Sequence, residues 1–146
     1  MIYFDSSALV KRYVEEEGTG VVQRLCEENA LVATSRLTYP EILSALTRKR
    51  RTGELSTDSY SEVTDRFNKD WSQVSVIEFH EEVFRKLKSL IEKYSLRAAD
   101  AVQLASAIWL RETIKEPVTF ISSDLDLLKA ARAEKLLLVN PSKASQ

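Results

Sequence analysis

The sequence predicts an α/β fold, a three-layer α/β/α sandwich with a central parallel sheet of about five short strands. Two observations carry this. Short apolar runs alternate along the chain with longer segments whose apolar residues recur at helical spacing, the order that strand–helix crossovers produce. The runs are largely apolar on both of their faces, so the sheet is covered on both sides, and right-handed crossovers return each strand to the same starting edge. At 146 residues the chain suits one domain, with no repeat, linker or low-complexity tract.

Ile2-Tyr3-Phe4 is the first strand, and Asp5-Ser6-Ser7 ends it with side chains that suit a helix N-terminus. A helix is predicted over about residues 7–16, stopped by Gly18, then a short helix over residues 20–28 and a strand at Leu31-Val32-Ala33. Thr38 and Glu41 match a capping box, opening a helix with Ile42, Leu43 and Leu46 inward and Gly53 just past its end. Ser56 caps the next helix, which carries Tyr60, Val63 and Phe67 at helical spacing. Strand three is Val74-Ser75-Val76-Ile77, and Val83, Leu87, Leu90, Ile91 and Tyr94 mark the inner stripe of the helix that follows. Residues 98–115 form a helix apolar around much of its circumference, hence central, and Pro117 ends it. Val118-Thr119-Phe120-Ile121 is strand four, residues 123–133 a helix, and Leu136-Leu137-Leu138-Val139 the last strand. The domain is placed at residues 1–141, and the tail over residues 142–146 is predicted to be unstructured.

Lys and Arg number 21 against 22 Asp and Glu, so the net charge of −1 neither points to nucleic acid nor excludes a local basic stripe. Cys26 is the only cysteine, reads as buried filler beside Val21, Val22 and Leu25, and leaves no internal disulfide. His80 is the only histidine, so a zinc site built on Cys and His is excluded and any metal is held by oxygen. With 3 Gly in the whole chain, a glycine-rich phosphate loop is absent. The uncharged stretch over residues 101–110 is about half of what a bilayer needs, and Met1 leads straight into a strand, so a cytoplasmic protein without membrane attachment is expected.

In sheets of this kind ligands bind beyond the carboxyl ends of the strands. Asp5 follows strand one and Asp124 follows strand four, while Glu41 stands in the first turn of the helix reached just after strand two. The helix over residues 98–115 feeds strand four through a short connection, so it starts at the carboxyl edge with Asp100 in its first turn. Taken singly, each acid has an ordinary role in complementing a helix dipole or capping free N–H groups, Glu41 most of all. Taken together they predict one cluster, and carboxylates withdrawn from water side by side either raise their pKa values or recruit cations. Oxygen ligands alone select hard ions such as Mg²⁺ or Mn²⁺. Phosphodiester hydrolysis is the reaction that fits such a site best.

Four segments carry a family resemblance: Ile2-Tyr3-Phe4-Asp5-Ser6-Ser7-Ala8-Leu9-Val10-Lys11, Glu41-Ile42-Leu43-Ser44-Ala45-Leu46, Ala99-Asp100-Ala101-Val102-Gln103-Leu104-Ala105, and the segment from Phe120 through Asp124 and Asp126 to Ala131. In order and spacing they resemble the PIN domain, in particular the VapC-type ribonuclease toxins of prokaryotic toxin–antitoxin modules. The resemblance implies that Asp5, Glu41, Asp100 and Asp124 are catalytic and hold Mg²⁺ or Mn²⁺ for hydrolytic cleavage of single-stranded or loop RNA, with Ser7 and Ser122 supporting them. It also implies a VapB-like antitoxin as partner and a homodimer. Lys135 departs from the glycine common in relatives before the last strand, and Asp126 is a reserve ligand beside Asp124. The alternative is a PIN-fold adaptor that binds RNA or protein without turnover.

For phosphate contact the sequence favours Lys11, Arg36 and Arg97, near the predicted edge, over Arg48-Lys49-Arg50-Arg51, whose charges suit a helix C-terminus. Tyr3, Phe4, Phe67, Phe84, Phe120 and Trp109 are expected in the core, with Tyr13 and Trp71 left open.

Overall fold

The computed structural model describes residues 1–144. Five parallel strands, β1 (Ile2–Phe4), β2 (Val32–Ser35), β3 (Ser75–Ile77), β4 (Thr119–Ile121) and β5 (Leu137–Val139), stand in the order β3-β2-β1-β4-β5. The chain builds outward from β1 in one direction and then returns to its other side, so the switch point where a crevice opens lies between β1 and β4. The helices are α1 (Ser6–Leu9), α2 (Thr19–Glu28), α3 (Thr38–Arg51), α4 (Thr57–Trp71), α5 (Glu81–Phe84), α6 (Leu87–Tyr94), α7 (Ala98–Ile114), α8 (Leu125–Ala133) and α9 (Pro141–Ala144).

Strand alternation divides the core into two layers. Tyr3, Ala33 and Phe120 face α7, whose Ala101, Leu104, Ala105 and Ile108 are buried against them. Ile2, Phe4 and Ile121 face the other way, packing with Leu9, Ile42, Leu46 and Phe67. Tyr3 and Phe120 are neighbours in register and stack with ring centroids 5.5 Å apart at 8°. Every residue of α7 from Ala101 through Ile108 is buried, so the helix is covered on most sides, which accounts for its apolar circumference.

Several boundaries differ from the sequence expectation. The helix predicted over residues 7–16 ends at Leu9 and passes through a 3-10 turn at Val10–Arg12, because the N–H groups of Tyr13 and Val14 both close onto the Val10 carbonyl. Gly18 begins the next helix rather than stopping this one: at φ +96° it precedes α2, with Pro141 filling the space where a side chain would stand. The capping box at Thr38 and Glu41 does not form. Leu37 holds the N-cap position, and Thr38 is buried with its hydroxyl 2.7 Å from Thr34 Oγ1. After β3 the single predicted helix is broken into α5 and α6, and Phe84, expected in the core, is 55% exposed.

Of the tail expected to be unstructured over residues 142–146, residues 142–144 belong instead to α9. Pro141 suits a first helical position, and Asn140 Oδ1 accepts the Ser142 N–H at 3.0 Å. Residues 145 and 146 lie outside the described part. Lys135, in the turn before β5, takes φ +67°, a conformation glycine adopts without strain. Among the described residues no helix is long and apolar enough to cross a membrane.

Candidate active site

Asp5 leaves β1 at its carboxyl end, its N–H still bonded to the Ile121 carbonyl of β4 at 3.1 Å. It is 3% exposed, and both of its carboxylate oxygens accept hydrogen bonds. Oδ1 accepts the Ala8 N–H at 3.0 Å, making Asp5 the N-cap of α1, while Ser7 Oγ lies 2.8 Å from Oδ1 and Ser122 Oγ donates to Oδ2 at 2.6 Å. Burial pushes the Asp5 carboxyl up to about 6, against the lowering effect of Ser122, Ser7 and the Ala8 N–H, and the charge of Asp124 adds to the rise. Asp5 is thus a carboxylate kept from water by geometry, and among the described residues no basic side chain pairs with it.

Asp124 follows β4 and caps α8, with Oδ1 accepting the Leu127 N–H at 3.0 Å and its own N–H donating to Ser122 Oγ at 3.0 Å. Asp100 stands in the first turn of α7. Its carboxyl is raised by burial first, then by the charges of Asp124 and Glu41, with Arg97 opposing and Asp126 adding. Asp100, Asp124 and Asp126 share one wall of a cavity of about 500 Å³ with Arg97 and Lys129. Glu41 reaches the same edge from α3, where Oε1 accepts from Gln103 Nε2 at 3.0 Å. The structure therefore brings all four predicted acids to one edge, with Asp126 beside them.

Sequence reasoning missed the groups behind Glu41. Gln103 is buried, donates also to Thr38 Oγ1 at 2.9 Å, and accepts from the Tyr3 hydroxyl at 2.6 Å. The available signal was its position three residues after Asp100, which puts the two on one helical face. Lys129 was missed as well, although it follows Asp126 by the same three residues.

Among the described residues none of the four carboxylates is in an ion pair. No three Asp, Glu, His or Cys side chains among them form a ready-made metal cage. The donor chemistry nevertheless fits a hard cation: oxygen ligands only, a buried carboxylate at Asp5, and an Asp100 raised by burial and then by its acidic neighbours. Such an open arrangement suits Mg²⁺, which keeps several of its waters.

Of the predicted phosphate contacts, two are otherwise engaged. Lys11 is buried and pairs with Glu16 at 3.2 Å, and Arg36 is held by Glu78. Lys49 pairs with Glu54 at 2.9 Å and Arg50 lies 4.1 Å from the Tyr60 ring centroid, so the basic run at the end of α3 serves its own helix terminus. Arg97 stays at the acidic cavity, joined by Lys129.

The PIN-domain profile matches residues 2–133. Ribonuclease VapC45 of Mycobacterium tuberculosis (strain CDC 1551 / Oshkosh) is 32% identical over 108 residues, covering 74% of this chain and 75% of its own. Among solved structures, that of FitAcB from Neisseria gonorrhoeae superposes with a TM-score of 0.70 at 17% identity, covering 98% of this chain and 99% of its own. A toxin–antitoxin complex from Klebsiella pneumoniae gives 0.68 at 17% identity, covering 97% of this chain and 98% of its own. These two likenesses speak to the fold. The profile spans β1 through α8, a stretch that includes all four acids, and the chain belongs to the PIN-domain family.

Proposed function

We propose that the chain is a metal-dependent endoribonuclease that hydrolyses phosphodiester bonds in single-stranded or loop RNA and acts as the toxin of a toxin–antitoxin pair. What supports this reading is that Asp5, Glu41, Asp100 and Asp124 all stand at the carboxyl edge of the sheet, near enough for Asp124 to act on Asp5 and for Asp124 and Glu41 to act on Asp100, and that among the described residues none of the four is in an ion pair. Divalent-metal dependence is general among PIN-domain ribonucleases of the VapC type. Mg²⁺ or Mn²⁺ held by these acids would supply an activated water and neutralise charge at the phosphoryl group.

The chain's own groups do the rest. Ser122 and Ser7 fix the Asp5 carboxylate, Asp124 keeps Oδ2 for the site while Oδ1 caps α8, and Gln103 leaves Glu41 Oε2 free. Arg97 and Lys129 flank the acids and suit the phosphates of an unpaired strand. The Klebsiella structure is of a toxin–antitoxin complex, which supports a VapB-like antitoxin as partner, and we extend the reading to a homodimer.

A metal-titrated cleavage assay on unpaired RNA tests the reading. Cutting that requires Mg²⁺ or Mn²⁺ and falls at least about a hundredfold in Asp100→Asn is the expected result. RNA binding without metal-dependent cutting would favour the adaptor instead. In cells, expression of the chain alone should slow growth and Asp5→Asn should relieve it.

A further inference from the structure

Gln103 is a buried amide, 1% exposed, with each of its polar atoms in use. Both hydrogens of Nε2 are directed, one to Thr38 Oγ1 and one to Glu41 Oε1, and Oε1 accepts from Tyr3, itself fully buried. A buried amide with all partners in place is fixed in orientation, because rotating it would set oxygen against oxygen and leave a phenol unmatched. Three consequences combine. Gln103 stands one turn beyond Asp100 on the same face of α7. Its bond to Glu41 crosses from α7 to α3, and its bond to Tyr3 anchors the pair to β1, two residues before Asp5. Thr38, which would have used Glu41 reciprocally in a capping box, is instead turned inward onto this same amide.

We propose that Gln103 is a positioning residue that sets the separation of Glu41 and Asp100 by tying the α3 carboxylate to the helix that carries Asp100, and so fixes the fit of the two acids to a divalent cation. The inference rests on the reading of the acids as cation ligands. Nothing else in the described structure holds the Glu41 side chain, so a side chain of similar volume but no amide leaves it free to choose among rotamers.

Mn²⁺ titration of the whole protein without RNA, with free ion counted by electron paramagnetic resonance, tests this alongside unfolding curves. Gln103→Leu is expected to fold and to bind Mn²⁺ about tenfold more weakly. The Mn²⁺ needed for half-maximal cleavage should rise by the same factor, with cleavage recovering at saturating Mn²⁺. Tyr3→Phe, which removes only the phenol that orients the amide, is expected to shift both in the same direction by a smaller factor. A purely structural role would move the unfolding midpoint and leave the Mn²⁺ affinity of the folded protein within about twofold of wild type, and that result overturns the proposal. If Gln103→Leu does not fold, Tyr3→Phe decides: wild-type Mn²⁺ affinity in that variant overturns it. Wild type and Asp100→Asn binding Mn²⁺ equally would instead remove the ligand reading itself, and this inference with it.

Discussion

Ser122 Oγ, at the end of β4, donates to Asp5 Oδ2, at the end of β1, across 2.6 Å, and accepts the Asp124 N–H at 3.0 Å. One hydroxyl thereby joins acids from both sides of the switch point. Ser122→Ala leaves a buried carboxylate short of a donor and should cost about 1–3 kcal/mol of stability. Because the hydroxyl lowers the Asp5 pKa, the variant's carboxyl should titrate higher still, moving the acid limb of the pH–rate profile upward. Urea unfolding and a cleavage profile from pH 5 to 8 read the two effects.

In the metal-free protein Asp5 keeps its proton to about pH 6, against an ordinary value of 3.8. Between those values the folded state binds more protons than the unfolded chain, so stability is present below the lower value and lost as pH rises through the upper one. The loss is about 3 kcal/mol for a shift of this size. Chelator-treated protein should therefore melt higher at pH 5 than at pH 7, and Asp5→Asn should flatten that difference. Parallel melting curves for the two proteins would show that Asp5 does not titrate in this window. Cation binding should show the opposite slope, strengthening as pH rises past 6 and protons leave Asp5.

Two turns should respond in opposite directions. In Gly18→Ala the added Cβ would stand 2.9 Å from the Pro141 carbonyl carbon at φ +96°, and a loss of about 1–2 kcal/mol is expected. Lys135→Gly relieves a left-handed φ of +67° and should gain about 0.5–1 kcal/mol after the greater freedom of glycine in the unfolded chain is counted. Lys135 precedes β5 at the opposite edge of the sheet from the acids, so cleavage by that variant should be unchanged. Urea midpoints and a cleavage assay check both.

Lys129 and Arg97 face the acidic cavity, and Lys129→Ala should weaken RNA binding about equally for every sequence and lower the salt dependence by about one ion. Arg97→Ala should do the same and also raise the Asp100 pKa, since the guanidinium is the group that lowers it. Filter binding at graded salt measures the first effect, and carboxylate NMR the second.

Asp5 and Asp124 are legible in the sequence because each directly follows an apolar run, and a parallel sheet leaves such positions only one edge to occupy. Asp100 is legible one step later, from the short connection that forces α7 to run back along β4. The surroundings of Glu41 are not. Thr38 and Glu41 spell a local capping box, but a partner on α7 and another on β2 draw Thr38 into the core, and no local pattern carries that information. Gln103 has only its i,i+3 spacing from Asp100 to mark it, and its partners on α3 and β1 are far away along the chain. Arg36 looks available because its partner, Glu78, arrives only after β3, whereas Lys11 is taken by Glu16 once the predicted helix over residues 7–16 ends early and the chain turns back. The early end of α1 depends on how Tyr13 and Val14 fold back onto Val10, a choice made by packing against Phe67 and its neighbours.

Asp5 and Asp124 are each both a negative charge at the site and the acceptor that closes the first turn of the following helix. Asparagine retains that acceptor while discarding the charge, whereas alanine discards both. In the genetic code aspartate and asparagine codons differ by one base. On the proposed reading of these acids as cation ligands, a single base change at either position would therefore remove a ligand while keeping the acceptor that closes the helix behind it.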